Sequence, residues 1–136
     1  MWVSLIERRE SLLALYQDEV PGLENLFLHE IKITTGQDLI INIRFDLRKL
    51  PKKIPKKWLD RSVNTVQITL DLVQAKIEKI DLEKSISSVD NIIIEQINDY
   101  KRLILRDASK AEVLTLRSTW IYLSSFSGYQ NTLNLS

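Results

Sequence analysis

The sequence predicts a mainly β domain of the α+β kind: an antiparallel sheet or sandwich of about seven strands with one amino-terminal helix packed on it. Three observations predict it. Helical spacing of apolar residues is confined to the segment before Tyr16, alternation with a period of two dominates from Leu26 onward, and short polar turns separate the alternating runs. With 136 residues, 44% of them apolar and 27% charged, the chain has the size and composition of one ordinary globular domain, taken as 1–136.

The first element is the helix. Trp2, Leu5, Ile6, Leu12, Leu13 and Tyr16 form one apolar stripe, and Ser4 followed by Glu7 has capping-box spacing. Pro21-Gly22 ends it. Next comes a hairpin. Phe27, Ile31 and Ile33 share a face in its first strand, with His29 in phase with them. In the second, Leu39, Ile41, Ile43, Phe45 and Leu47 point one way, while Asn42, Arg44 and Asp46 point the other. Gly36 supplies the positive φ of the turn between them.

Leu50 to Trp58 reads as a loop, because Pro51 and Pro55 lack the backbone donors of a ladder, and Trp58 anchors its end. Alternation resumes at Val66, Ile68, Leu70 and Leu72, and a shorter, bulged strand follows near Ile77 to Leu82. The later strands are Asn91 to Ile97, Lys101 to Arg106 and Glu112 to Leu123, with Asn98-Asp99 as a turn and Trp120 and Tyr122 as core residues. Beyond Phe126 the Ser-, Gly- and Asn-rich end is expected to fray.

Composition excludes several functions. The 19 basic and 18 acidic side chains nearly cancel, unlike the strongly basic balance of a domain that coats nucleic acid. Without cysteine there is no disulfide framework and no thiolate metal site. Glycine occurs only at 22, 36 and 128, too sparsely for a phosphate-cradling loop, so no nucleotide cofactor is expected. The first residues are interrupted by Glu7, Arg8, Arg9 and Glu10, which does not suit a secretory signal. No apolar run is long enough to span a membrane, so a cytoplasmic protein is expected.

Candidate chemistry is sparse. His29 is the single histidine, and a base or metal ligand needs company it lacks, so a structural role is expected. Dispersed carboxylates (Asp71, Glu78, Asp81, Glu83, Asp90, Glu95 and Asp99) could hold magnesium for a hydrolase, or form a solvated face, or dock a basic partner. The run Arg48 to Lys57 places six cations in ten residues, suited to phosphates, to an acidic protein surface or simply to solubility. Only Trp58 accompanies it as a stacking aromatic.

One ordered set of segments carries a resemblance: Val20-Pro21-Gly22-Leu23-Glu24-Asn25, Leu28-His29-Glu30, Phe45-Asp46-Leu47, and Asn64-Thr65-Val66-Gln67-Ile68-Thr69-Leu70. Across roughly Glu19 to Leu82 the chain resembles the bacterial polymorphic-toxin immunity proteins of the immunity protein 50 family. After Glu83 the likeness thins, with Lys84-Ser85 where the family has small residues and a tryptophan. The resemblance implies a non-enzymatic protein without cofactor or metal, which neutralises a secreted or contact-delivered toxin domain by covering it in the cytoplasm. It implies a protein partner rather than nucleic acid or membrane. It transfers no binding residues. Candidates from this sequence are the acidic positions Asp71, Glu78, Asp81 and Glu83, or the basic loop with Lys52, Lys53, Lys56 and Lys57. Two other readings stay open: a nucleic-acid-binding module using those lysines, and a metal-dependent hydrolase using the carboxylates.

Overall fold

The computed structural model describes residues 1–131. Six antiparallel strands close into a barrel in the order β1-β2-β3-β6-β5-β4: β1 (Glu24–Thr34), β2 (Ile40–Leu47), β3 (Thr65–Ile80), β4 (Ser88–Ile97), β5 (Tyr100–Asp107) and β6 (Glu112–Tyr129). The mainly β prediction holds, and the architecture corrects the rest. Closure replaces an open sheet or sandwich, and six strands replace seven. The two segments expected near Val66 and Ile77 are one strand, β3. Gln74 takes a left-handed φ of 52° within it, and β3 stays paired with β6 to both sides, with a register shift falling between Ile77 and Lys79.

Alternation places the core correctly in β2, where Ile41, Ile43, Phe45 and Leu47 are fully buried. In β1 the phase differs from the expected one. Leu26 and Leu28 point inward, and a bulge between Leu28 and Glu30 restores Ile31 opposite Ile43 and Ile33 opposite Ile41. Phe27 therefore faces outward, opposite Asp46. A similar phase change turns Trp120 and Tyr122 outward and Ile121 and Leu123 inward. Trp120 carries Lys101 over its ring, and Tyr122 carries Arg8, so the expectation that this pair is core is overturned.

The amino-terminal helix is broken in two. A 3-10 turn, Trp2–Leu5, precedes an α-helix, α1 (Glu10–Tyr16). Between them Glu7 runs beside β6, where its N–H donates to Ile121 O at 2.8 Å and its carbonyl accepts from Leu123 N–H at 3.0 Å. Ser4 Oγ bonds Met1 O, so the expected capping box does not form. Trp2, Val3, Ile6, Leu12 and Tyr16 join the buried cluster of the barrel interior. The segment thus stops the end of the barrel at which β1 begins, instead of lying on a sheet face.

The loop after β2 holds a short helix, α2 (Lys56–Asp60), where a loop was expected; Pro55, free of any donor duty, sits at its start. Trp58 does anchor the segment. It packs so closely on Gly128 that an added Cβ would lie 2.7 Å from Trp58 Cε2. Gly128 and Tyr129 pair with Val66 and Thr65, so β6 stays ordered past Phe126, where fraying was expected. Residues 132–136, the last part of that expectation, lie outside the described residues.

Candidate functional site

Because all six strands run up and down, the barrel has two ends of different composition. The lower end, where β1 begins, gathers the amino-terminal segment, the Arg48 to Asn64 loop and the last residues of β6. The upper end gathers the Thr35 to Leu39 turn, the connector from Asp81 to Ser87 and the turn from Ala108 to Ala111.

This geometry separates the two candidate patches completely. Lys52, Lys53, Lys56 and Lys57 lie at the lower end, all exposed, with Lys52 Nζ paired to Glu19 at 2.7 Å. Asp81 and Glu83 lie at the upper end, in the connector, and the exposed Glu78 lies just before it in β3. Asp71 does not belong with them. It sits midway along the outer wall and accepts a hydrogen bond from Asn42 Nδ2 at 2.5 Å. Glu95 is likewise occupied, by Arg102 at 2.7 Å, and that pairing raises the guanidinium pKa further. Among the described residues no three His, Asp or Glu side chains come together to hold a metal ion, so the hydrolase carboxylates stay apart.

The upper end is unfinished as a barrel. β1 pairs with β4 only over Glu24, Leu26 and Phe27, and the last bond across that seam runs from Leu28 N–H to Ser87 O at 2.7 Å. From His29 to Thr34 the β4-side edge of β1 has no backbone partner among the described residues. β3 similarly outruns β2. Beyond the bond from Ala75 N–H to Leu39 O, it pairs only with β6. Side chains aimed inward at these places are therefore uncovered. Ile80 stands opposite the buried Leu114 yet is 49% exposed, Ile33 is 42% exposed, and Leu82 in the connector is 39% exposed. Leu82 and the half-buried Ile86 line a shallow cleft with Asp81, Glu83 and Asp107. The Asp107 carboxylate accepts bonds from Ser109 and from the Ala111 amide, which hold its pKa below the ordinary value.

A second cluster escaped sequence reasoning. On the outer wall His29, the bulge residue of β1, brings Nε2 to 2.9 Å from Asp46 Oδ1, and the Tyr129 hydroxyl donates to Asp46 Oδ2. Asp46 was expected to face solvent. It does point outward, but it is only 3% exposed, because Tyr129 closes over it. A proton on His29 Nε2 satisfies Oδ1, which otherwise would be buried without a donor. Burial, then the bond and charge of Asp46, push the Tyr129 pKa up to about 12. The phenol thus remains a donor at neutral pH and fastens the end of β6 to β1 and β2, a structural use of the one histidine. No local pattern signalled it, because the bulge at His29 shows only in the pairing of β1 with β2.

A β barrel whose candidate surfaces are an apolar, acid-edged mouth and a lysine-rich loop is suited to protein recognition. The profile of the family described as Immunity protein 50 matches residues 9–129, and the chain belongs to that family. The match runs well past Leu82, where the sequence resemblance ended, and takes in β4 to β6. No curated protein and no solved structure matches the chain.

Proposed function

We propose that this chain is a cytoplasmic immunity protein that binds the toxin domain encoded beside it and neutralises that domain by occupancy, without chemistry of its own. One observation carries the reading: the immunity-family match extends over residues 9–129, all of the barrel rather than a fragment of it. Function in such a pair resides in surface, and roughly 800 Å² per partner with buried apolar anchors makes a stable complex. The upper end supports that role better than the lower. It offers uncovered Ile33, Ile80 and Leu82 on or next to strand edges, beside carboxylates in no ion pair among the described residues. At the lower end the exposed apolar residues, Leu59 and Met1, stand on α2 and at the amino terminus, off any strand, although Lys53, Lys56 and Lys57 are as unpaired as those carboxylates. Acidic side chains there also suit a toxin whose own substrate is anionic, since the substrate cleft of such a toxin is basic.

The test is co-expression with the carboxy-terminal domain of the adjacent reading frame. A complex that co-purifies and restores growth is the expected result. Cells that die with both proteins present would remove the reading. So would toxin that is chemically altered after incubation with catalytic amounts of this chain, since occupancy demands a stoichiometric inhibitor.

A further inference from the structure

Resting on that immunity reading, we propose that the toxin is held by strand addition: an extended segment of it pairs with the β1 edge from His29 to Thr34 at the open upper end. The backbone dictates the kind of partner. In a strand, residues whose side chains share a face also turn their N–H and C=O groups the same way. Leu28 points inward and sends its N–H sideways to Ser87, so the amides of the inward-facing Ile31 and Ile33 turn toward the same side. There they meet no backbone group among the described residues. Only another extended chain supplies donors and acceptors at that spacing.

The edge is only partly protected: it has the bulge at His29 and the outward Lys32, but no proline and no charge aimed inward. Exposed edges are commonly guarded by charges aimed inward or by prolines. Here the inward positions are Ile31 and Ile33, and the lysine at position 32 faces outward, opposite Asn42. An added strand would cover Ile33, which is 42% exposed. The molecule contains its own precedent. Beyond Ser118, β6 loses its β5 partner, and the chain satisfies the vacated edge with the extended residue Glu7. The connector carboxylates Asp81 and Glu83, exposed and in no ion pair among the described residues, outnumber its one cation, Lys84, and so favour a segment with lysine or arginine at one end.

The deciding measurement is amide hydrogen exchange on the wild-type chain, alone and with the toxin domain from the adjacent reading frame. Exchange at Ile31 and Ile33 is expected to slow at least tenfold on binding, with little change in the lower loop around Lys56. Ile33→Pro deletes one edge donor without touching the β1–β2 ladder, and it is expected to weaken binding tenfold or more at an unchanged circular dichroism spectrum. Should that variant misfold, the exchange data decide alone. A complex that forms while Ile31 and Ile33 keep exchanging freely overturns strand addition but leaves the immunity reading standing. Absence of any complex removes both. Concentration-dependent dimers with those amides already slow in the chain alone would make a second copy the occupant and overturn the proposal.

Discussion

At the lower end of the barrel, the chain covers its own open edge: Glu7 bonds β6, and Trp2, Ile6, Leu12 and Tyr16 fill the interior beneath it. At the upper end, the same kinds of element meet no such cover. β1 and β3 run past their neighbours, and isoleucines aimed inward stand in solvent. The contrast separates two uses of one chemistry. An unpaired strand edge beside apolar side chains is a binding site for extended chain, and only at the lower end does the chain supply that segment itself. The core runs through both halves, but only the upper end leaves a strand edge without a backbone partner among the described residues.

Removing packing at each end should break this contrast or sharpen it. Leu12→Ala or Ile6→Ala in the lower plug is expected to cost about 2–4 kcal/mol, as for other fully buried large-to-small changes. Urea unfolding would show a lower midpoint with an unchanged slope. Ile80→Ala is expected to cost under about 0.5 kcal/mol, because its side chain is half exposed already. Equal losses at the two ends would mean that the upper end is packed in solution, and the contrast would be gone.

Gly128→Ala tests whether the lower end tolerates added volume. The new methyl would meet Trp58 Cε2 and Val63 Cγ1, each at 2.7 Å, and is expected to cost about 1–3 kcal/mol. Tryptophan emission should shift to the red as Trp58 is displaced.

Tyr129→Phe probes the fastener over Asp46. Loss of one hydrogen bond to a carboxylate at a partly exposed site is expected to cost about 1 kcal/mol at neutral pH. A phenol whose pKa rises on folding contributes stability fully below its unfolded value near 10, and that contribution fades as pH climbs toward about 12. Wild-type stability should therefore fall across that window, and the variant should lose part of the slope. Tyr16, also raised by burial, leaves a remainder. A slope identical in both proteins would deny Tyr129 the role.

The smallest change is expected from Lys56→Glu with Lys57→Glu. Both side chains are exposed on α2, so stability should stay within about 0.5 kcal/mol. Toxin binding, measured by titration calorimetry, should also be unaffected. A tenfold loss of affinity there would move the docking surface to the lower end.

How much of this was legible beforehand differs from strand to strand. In β2, Ile41 to Leu47 alternate without interruption, and pattern alone identifies the buried face. The Asn98-Asp99 turn was also readable; Asn98 takes the left-handed φ of 54° that a short side-chain amide tolerates. β1 and β6 misled because an irregularity inside a strand changes the phase of alternation, so that Phe27 no longer shares a face with Ile31 and Trp120 turns outward. The acidic candidates do not form one group. Asp81 and Glu83 share the upper end, but Asp71 was grouped with them only by its alternation in β3. Asp46 was misjudged because its cover, Tyr129, lies 83 positions away in the chain.

The sequence by itself determined which residues could form strands and, wherever alternation ran unbroken, which of their faces would be buried. Those properties follow from neighbours two positions apart, and no distant contact is needed to read them. Tertiary structure alone decided that the sheet closes, that the amino-terminal segment stops one mouth and not the other, and that His29, Asp46 and Tyr129 meet. Each of these depends on how far one strand outruns the strand beside it. Such offsets are fixed by pairings between residues tens of positions apart, where local pattern holds no information.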